Sequence, residues 1–164
     1  MELVDLKISR YPDLIKGIVI KNGTQWLALE ENIVDYVLDG FLFVNKYYVQ
    51  QVSELSHDTL RYKVLSIKHS SGPQFPCLDN YADLIKYLRD KRMLIAIGRN
   101  DQKSILVGRI ADFTNDTFCL IPIGVDLQEL PRVKIDCKKI RYISIMSDYL
   151  MSITDYLKVN EQTI

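Results

Sequence analysis

Apolar and polar residues alternate in short runs along most of the chain, and turn-forming residues separate these runs. The run GIVIKNGTQWLAL is interrupted by Asn22-Gly23, a dipeptide that tolerates the positive φ angles of a tight hairpin turn. This pattern predicts strands at about 15–21 and 24–30. Asp39-Gly40 predicts a second turn, which the apolar run FLFVNK follows. The first part of the chain therefore predicts several short strands, a spacing that is typical of a small sandwich or barrel.

The middle of the chain predicts a strand, a linker and a helix. Leu60–Lys68, LRYKVLSIK, alternates in polarity and predicts a strand. Residues 70–76, SSGPQFP, include one glycine and two prolines and predict a linker. In YADLIKYLRDKR the apolar residues recur at helical spacing, which predicts a helix at about 80–91 with Asp79 or Asn80 as its cap.

The second half repeats the β-rich pattern of the first. It predicts a hairpin around GRND, a strand at TFCLIPI, a loop at Gly124–Pro131, strands within VKIDCKKIRYISIM and a helix at SDYLMSITDYLK. A shift of 91 residues places Gly17 on Gly108 and pairs Asn45 with Asp136. A second similarity, between YPDLIK and YADLIK, needs a shift of 70 residues. A duplication and a chance agreement between two β-rich halves both explain these matches.

Two segments of the second half resemble the signatures of a known family. In Gly108–Phe113 a glycine opens an apolar run that ends on an aromatic residue, and a polar turn then leads into an alternating strand. This stretch resembles the first signature of the Sm-like proteins. Val133–Ile143, VKIDCKKIRYI, resembles the second signature, in which a short strand leads into a tight turn and another strand. The first half matches more loosely, through Gly17, Asn22-Gly23 and Trp26.

The resemblance implies a mainly β fold made of two tandem small Sm-like β-barrels, with a linking helix and a C-terminal helix. The first barrel unit would occupy residues 1–70, and the second would occupy residues 77–164. Because nucleic-acid-binding proteins belong to this family, the resemblance also implies RNA as a partner.

Composition narrows the class of protein. The chain has 164 residues, and its 21 basic and 21 acidic residues give a formal net charge of zero. With 48% hydrophobic residues it is not an intrinsically disordered chain, and its neutral balance argues against a dedicated polyanion binder. The widely spaced Cys77, Cys119 and Cys137 match no metal motif, and we expect all three to be packing thiols. The sequence shows neither a membrane-spanning apolar run nor a signal-peptide pattern, and we expect a cytoplasmic protein.

Residues that carry catalysis are sparse. His57 and His69 are the two histidines, and both fall in the polar connection between the predicted units. Glu30-Glu31 lies at a predicted strand end, where adjacent side chains point to opposite faces, and this indicates a solvated edge rather than an acid–base pair. No glycine-rich phosphate loop is present. We predict no cofactor and no catalysis, and an enzyme that uses His57 or His69 in an unrecognised site is the alternative.

Two groups of residues are candidates for binding. Basic residues concentrate in the second half, and those expected to contact RNA phosphates are Arg99, Lys103, Lys138, Lys139 and Arg141. Tyr47 and Tyr48 are adjacent, so an extended chain would expose one of them.

We interpret the chain as a non-catalytic binding or adaptor module. It would contact a partner protein, or a second copy of itself, through barrel edges and exposed tyrosines. RNA binding through a basic patch on the second unit is the alternative.

Overall fold

The structure is a computed structural model that describes residues 1–69, 72–99 and 105–161. Its strands are β1 (Leu3–Ile8), β2 (Ile15–Asn22), β3 (Trp26–Val34), β4 (Val37–Asn45), β5 (Val49–Glu54), β6 (Leu94–Gly98), β7 (Ile105–Thr114), β8 (Thr117–Pro122), β9 (Val133–Asp136) and β10 (Tyr142–Ile145). Its helices are α1 (Leu60–Lys68), α2 (Tyr81–Asp90) and α3 (Asp148–Glu161), together with the one-turn 3-10 helices η1 (Lys46–Tyr48) and η2 (Cys137–Lys139). The predicted mainly β class with a few helices is confirmed.

All ten of these strands join one antiparallel sheet in the order β5-β1-β2-β3-β4-β10-β6-β7-β8-β9. The two halves of the chain meet where β4 pairs with β10, with Leu42 opposite Ser144 and Phe43 opposite Ile143. The sheet is open, with β5 and β9 as its edges, and is not closed into the two barrels that the sequence predicts. Strand β4 pairs with the other half of the chain instead of closing its own half.

The two halves place their elements in the same order. Each half runs through four strands, a 3-10 turn, a fifth strand and a helix, and η1 and η2 lie 91 residues apart. Asn45 and Asp136, which the 91-residue shift pairs, cap these two turns: each side-chain oxygen accepts a hydrogen bond from the N–H two residues later. The predicted pairing of these two residues therefore has a structural counterpart.

Helix α1 replaces the strand that the sequence predicts at Leu60–Lys68. The Thr59 hydroxyl accepts a hydrogen bond from the Tyr62 N–H and caps the first turn. Leu65 is fully buried whereas Ile67 is 86% exposed, which is incompatible with a strand that packs alternate residues on one face. Arg61 lies one turn before Leu65 and pairs with Asp5 at 2.7 Å, whereas Lys63 is exposed, so the alternation of residue types does not separate a buried face from a solvent face.

Asp39-Gly40 lies inside β4 and does not form the predicted turn. The chain reverses instead at Asp35, which has a positive φ angle of 43°. Gly40 also has a positive φ angle, 69°, and a side chain there would collide with backbone atoms at Met146 and Ser147. The dipeptide serves as an irregular point in β4 where the backbone leading into α3 passes closely.

Two clusters of buried side chains lie on opposite faces of the sheet where the halves meet. Leu42 and Phe43 are consecutive in β4, and each belongs to a different cluster. Ile143 of β10 shares the cluster of Phe43, which α2 covers with Leu84 and Leu88. On the other face, α3 packs against β6.

The predicted helix at 80–91 is confirmed as α2, and Asn80 caps it by accepting a hydrogen bond from the Asp83 N–H at 2.9 Å. Part of the predicted linker, however, belongs to the core. Phe75 is 7% exposed and contacts the Phe43 ring at a centroid distance of 4.9 Å. The predicted GRND hairpin turn falls largely on residues 100–104, which lie outside the described residues.

Candidate interaction surface at the open sheet edge

Two capped 3-10 turns bring predicted binding residues of both halves to one place. In η1 the Asn45 side chain accepts a hydrogen bond from the Tyr47 N–H at 3.1 Å and donates one to the Ile140 carbonyl at 2.9 Å. Asn45 is completely buried, and its amide therefore links η1 to the chain just after η2. In η2 the Asp136 carboxylate accepts a hydrogen bond from the Lys138 N–H at 2.9 Å.

Tyr48 and Arg141 connect the two 3-10 turns. The Tyr48 hydroxyl donates a hydrogen bond to the Lys138 carbonyl at 2.6 Å, and the Arg141 guanidinium lies over the Tyr48 ring, 4.4 Å from its centroid. Arg141 is only 3% exposed and donates hydrogen bonds to the Ser9 carbonyl at 3.0 Å and to the Arg99 carbonyl. These contacts make Arg141 a structural cation rather than a side chain presented to a phosphate.

The other predicted basic residues have different surroundings. Lys138 is exposed, but its ammonium pairs with the Asp116 carboxylate at 2.9 Å, and this hydrogen bond raises the pKa of Lys138. Lys139 is exposed and Arg99 is half-buried. Lys103 lies outside the described residues. Of the two exposed lysines of η2, Lys138 is thus paired with a neighbouring carboxylate.

Tyr47 is the most exposed aromatic side chain near the turns. Its ring is 81% exposed and stands edge-on to Tyr48, with 5.1 Å between centroids. The sequence predicts that one member of this pair is exposed, but the cause is the 3-10 turn and not the alternation of a strand. Because Asn45 and Tyr48 fix the turn, the backbone of Tyr47 is held in place while its ring faces solvent.

Strand β5 begins two residues after Tyr47 and forms one open edge of the sheet. The Leu55 N–H donates to the Leu3 carbonyl of β1, so by alternation Ser53 also faces β1, whereas Val52 and Glu54 direct their N–H and C=O groups outward. The Val52 side chain is 54% exposed. The strand, VQQVSE, contains neither lysine nor proline, the residues that commonly prevent edge pairing.

The opposite edge, β9, differs from β5 in its length and in its proline and lysine residues. It has four residues instead of six, Pro131 and Arg132 precede it, and Lys134 lies within it. Short length, proline and lysine are the usual means by which proteins block unwanted strand addition. Of the two edges of the described sheet, β5 is therefore the one suited to receive another strand. Sequence reasoning predicts edge contacts in general, but it does not select β5.

The two histidines are not equivalent, and neither simply faces solvent in a loop. His69 follows α1, and its Nδ1 lies 2.7 Å from the Glu30 carboxylate. The ring of exposed His57 packs on Tyr62 at a centroid distance of 4.4 Å. Among the described residues, no group of three or more histidine, cysteine or acidic side chains could hold a metal ion.

The exposure of the cysteines corrects another prediction. Cys137 is buried, as expected of a packing thiol, and burial raises its pKa to about 12. Cys77 is exposed, and its thiol donates a hydrogen bond to the Asp79 carboxylate at 3.3 Å. Cys77 is therefore not a packing thiol.

A comparison with protein-family models, curated proteins and solved structures gives no match to this chain. In the part of the chain that the structure describes, no helix has both the length and the apolar character needed to cross a membrane.

Proposed function

We propose that the protein is a non-catalytic interaction module that binds an extended segment of a partner protein along β5. The observation that carries this proposal is a six-residue open edge without lysine or proline, next to an exposed tyrosine on a capped turn. The partner segment adds to the sheet as a further strand. Tyr47 contacts it at the end of β5 nearest η1.

Main-chain contacts provide affinity in this proposal, and side-chain contacts provide specificity. The outward N–H and C=O groups of Val52 and Glu54 supply main-chain hydrogen bonds, which any extended chain can satisfy. The ring of Tyr47 and the side chain of Val52 favour segments that place apolar residues opposite them. The module therefore selects a segment by its apolar pattern rather than by charge.

The proposal includes two Sm-like units, at residues 1–70 and 77–164. Supporting it are the repeated strand order, the equivalent positions of η1 and η2, and the matching caps Asn45 and Asp136. In this account the β4–β10 junction joins the units into one sheet, and a cytoplasmic partner uses the edge that the junction leaves open.

A peptide selection tests the proposal. A phage-displayed library of random twelve-residue peptides is selected on the immobilised full chain, and the enriched peptides are measured by calorimetry. We expect Val52→Pro to weaken binding at least about tenfold, because proline removes an outward N–H without removing a β1 hydrogen bond. The matched variant Val52→Ala keeps the N–H and should weaken binding less than about threefold, and Tyr47→Ala should weaken it several-fold. Enriched peptides that bind Val52→Pro as tightly as wild type, or a selection that enriches none, would show the proposal to be wrong.

RNA binding at the turns is a second candidate function. It is favoured by the exposed ring of Tyr47, which packs on Tyr48, and by exposed Lys138 and Lys139 in the turn that Tyr48 contacts, since bases stack on aromatic rings and ammonium groups contact phosphates. The compensation of Lys138 by Asp116 argues for the protein partner instead. Binding of a random-sequence RNA pool at two salt concentrations distinguishes them. Salt-sensitive binding that Lys138→Glu and Lys139→Glu abolish would establish RNA as the partner, and absence of binding at low salt would remove it.

A further inference from the structure

A cleft lies on the face of the sheet opposite α2, where the two halves meet. It has a volume of about 870 Å³, within the usual range for small-molecule sites. Its floor is a row of residues that face one another across four strands: Leu42, Ser144, Ala96 and Val107. The two central residues, Ser144 and Ala96, are small, so the row is depressed where the two halves join.

The walls of the cleft come from both halves. The N-terminal turn of α3 contributes Tyr149 and Leu150, and the start of β2 contributes Ile15 together with the preceding Leu14. At one end Tyr11 and Tyr142 pack edge-on, with 5.6 Å between ring centroids. A ligand in the cleft would therefore contact aliphatic and aromatic surface as well as polar groups.

Glu31 gives the cleft its chemical preference. It is half-buried at the cleft wall, and among the described residues its carboxylate has no hydrogen-bond donor and no ion-pair partner. Burial, and secondarily the nearby Asp39 carboxylate, raise the pKa of Glu31 to about 7. Asp39 differs because its oxygen already accepts a hydrogen bond from the Asp148 N–H at 2.7 Å.

The carboxylates of the cleft favour a cation. Glu31 and Asp39 both line it, and Lys16 is the basic residue among the described lining residues. A half-buried carboxylate without a donor is stabilised by a ligand that brings one, and charge-assisted hydrogen bonds are the stronger kind. A neutral ligand of the same shape can donate only an uncharged hydrogen bond, which is weaker.

We propose that this junction cleft binds a small organic cation, an ammonium or guanidinium group on an apolar body, with Glu31 receiving the cationic group and the floor of β4, β10, β6 and β7 receiving the body. The site is separate from the β5 edge, and its ligand is a small molecule rather than a protein segment. Because both halves contribute to the floor and walls, an occupied cleft also stabilises the β4–β10 junction.

The test uses three probes with a shared phenyl body and different charge: phenethylamine, 2-phenylethanol and 3-phenylpropionate. Each is titrated to about 10 mM into the uniformly ¹⁵N-labelled full chain at pH 8, and amide shifts are followed by NMR. We expect phenethylamine to shift the amides of Ala96, Val107 and Ser144 and to bind about tenfold more tightly than 2-phenylethanol, while 3-phenylpropionate does not bind.

Variants locate the site. Glu31→Gln should remove the preference for the cation, whereas Glu129→Gln in an exposed loop and Val52→Pro at the sheet edge should leave it unchanged. Ser144→Leu should fill the floor and abolish binding. If that variant does not fold, Ile33→Trp at the 51% exposed rim provides the same obstruction.

Equal affinity for amine and alcohol, a preference that survives Glu31→Gln, shifts confined to other surfaces, or no binding by any probe would each overturn the proposal. Because Val52→Pro affects the peptide site alone, failure here is distinguishable from failure of the β5 proposal.

Discussion

Replacing Glu31 by glutamine should stabilise the protein, and the gain should depend on pH. Glutamine has nearly the same shape but carries no charge. In the fold the pKa of Glu31 rises from 4.5 to about 7, first because of burial and then because of Asp39. The folded protein therefore binds a proton at this site more tightly than the unfolded chain does. The stabilisation from this protonated carboxyl is fully present below pH 4.5. It is lost as the pH rises to about 7, the pKa in the fold.

The expected size of the effect follows from the same shift. At about 1.4 kcal/mol per pH unit, the interval between 4.5 and about 7 gives an upper limit of about 3 kcal/mol. Glu31 is half-buried and partly screened by solvent, so we expect a gain of about 1–2 kcal/mol for Glu31→Gln at pH 8. At pH 5 the carboxyl is largely protonated in the fold, and the difference should shrink to within about 0.5 kcal/mol.

Urea unfolding measures this directly, because the single tryptophan, Trp26, is fully buried and reports on the core. Wild type and Glu31→Gln are compared at pH 5, 6, 7 and 8. Glu129→Gln, in an exposed loop, is the control and should show no pH-dependent difference from wild type. If Glu31→Gln is no more stable than wild type at pH 8, or if its gain is the same at every pH, the assignment of a desolvated carboxyl to this cleft is wrong.

Three further predictions concern the fold and the turns. Leu65→Ala should destabilise the protein by about 2–4 kcal/mol in urea unfolding, whereas Ile67→Ala should change stability by less than about 0.5 kcal/mol, and equal losses would contradict the helical assignment of α1. Arg141→Met should cost about 2–3 kcal/mol by the same measurement, because the Ser9 and Arg99 carbonyls lose their donor; an unchanged midpoint would return Arg141 to the list of ligand-binding candidates. A thiol reagent followed by mass spectrometry should modify exposed Cys77 in the native protein and leave Cys137, with its pKa raised to about 12 by burial, unmodified until urea is added; early modification of Cys137 would refute its burial.

Much of the local structure could be predicted from the sequence because short-range chemistry determines it. Asn22-Gly23 lies between β2 and β3, and Asn80 caps α2. The 91-residue shift also identifies Asn45 and Asp136 as equivalent positions, since each caps a 3-10 turn. The competing 70-residue shift does not relate equivalent elements, because YADLIK lies at α2 whereas YPDLIK runs from a loop into β2.

The errors arise where contacts distant in sequence decide the outcome. In Leu60–Lys68 the alternation of residue types favours a strand. In the fold only Leu65 of this segment is buried, against Leu3 and Ile18, and a short helix is sufficient to bury a single residue. Asp39-Gly40 has the composition of a turn. In the fold, however, Gly40 lies within a strand, because the backbone at Met146 passes too close for a side chain. Neither contact is visible from local pattern.

The candidate sites were predictable only in part for the same reason. Tyr47, Tyr48, Lys138 and Arg141 do come together, but the burial of Arg141 beneath two carbonyls depends on how the halves pair. The pairing of β4 with β10 determines which edges stay open and creates the cleft beside Glu31, which the sequence places on a solvated edge. The alternation of apolar and polar residues predicts a strand, but it does not predict which distant strand that strand pairs with.

Hydrogen exchange at β5, with and without a selected peptide, tests the central claim most directly. In the free protein the outward amides of Val52 and Glu54 should exchange rapidly, whereas those of Ser53 and Leu55, which face β1, should be protected. If a partner segment adds as a strand, the Val52 and Glu54 amides become protected on binding while the alternating neighbours change little. A peptide that binds and leaves the Val52 and Glu54 amides exchanging as before would contradict strand addition at this edge.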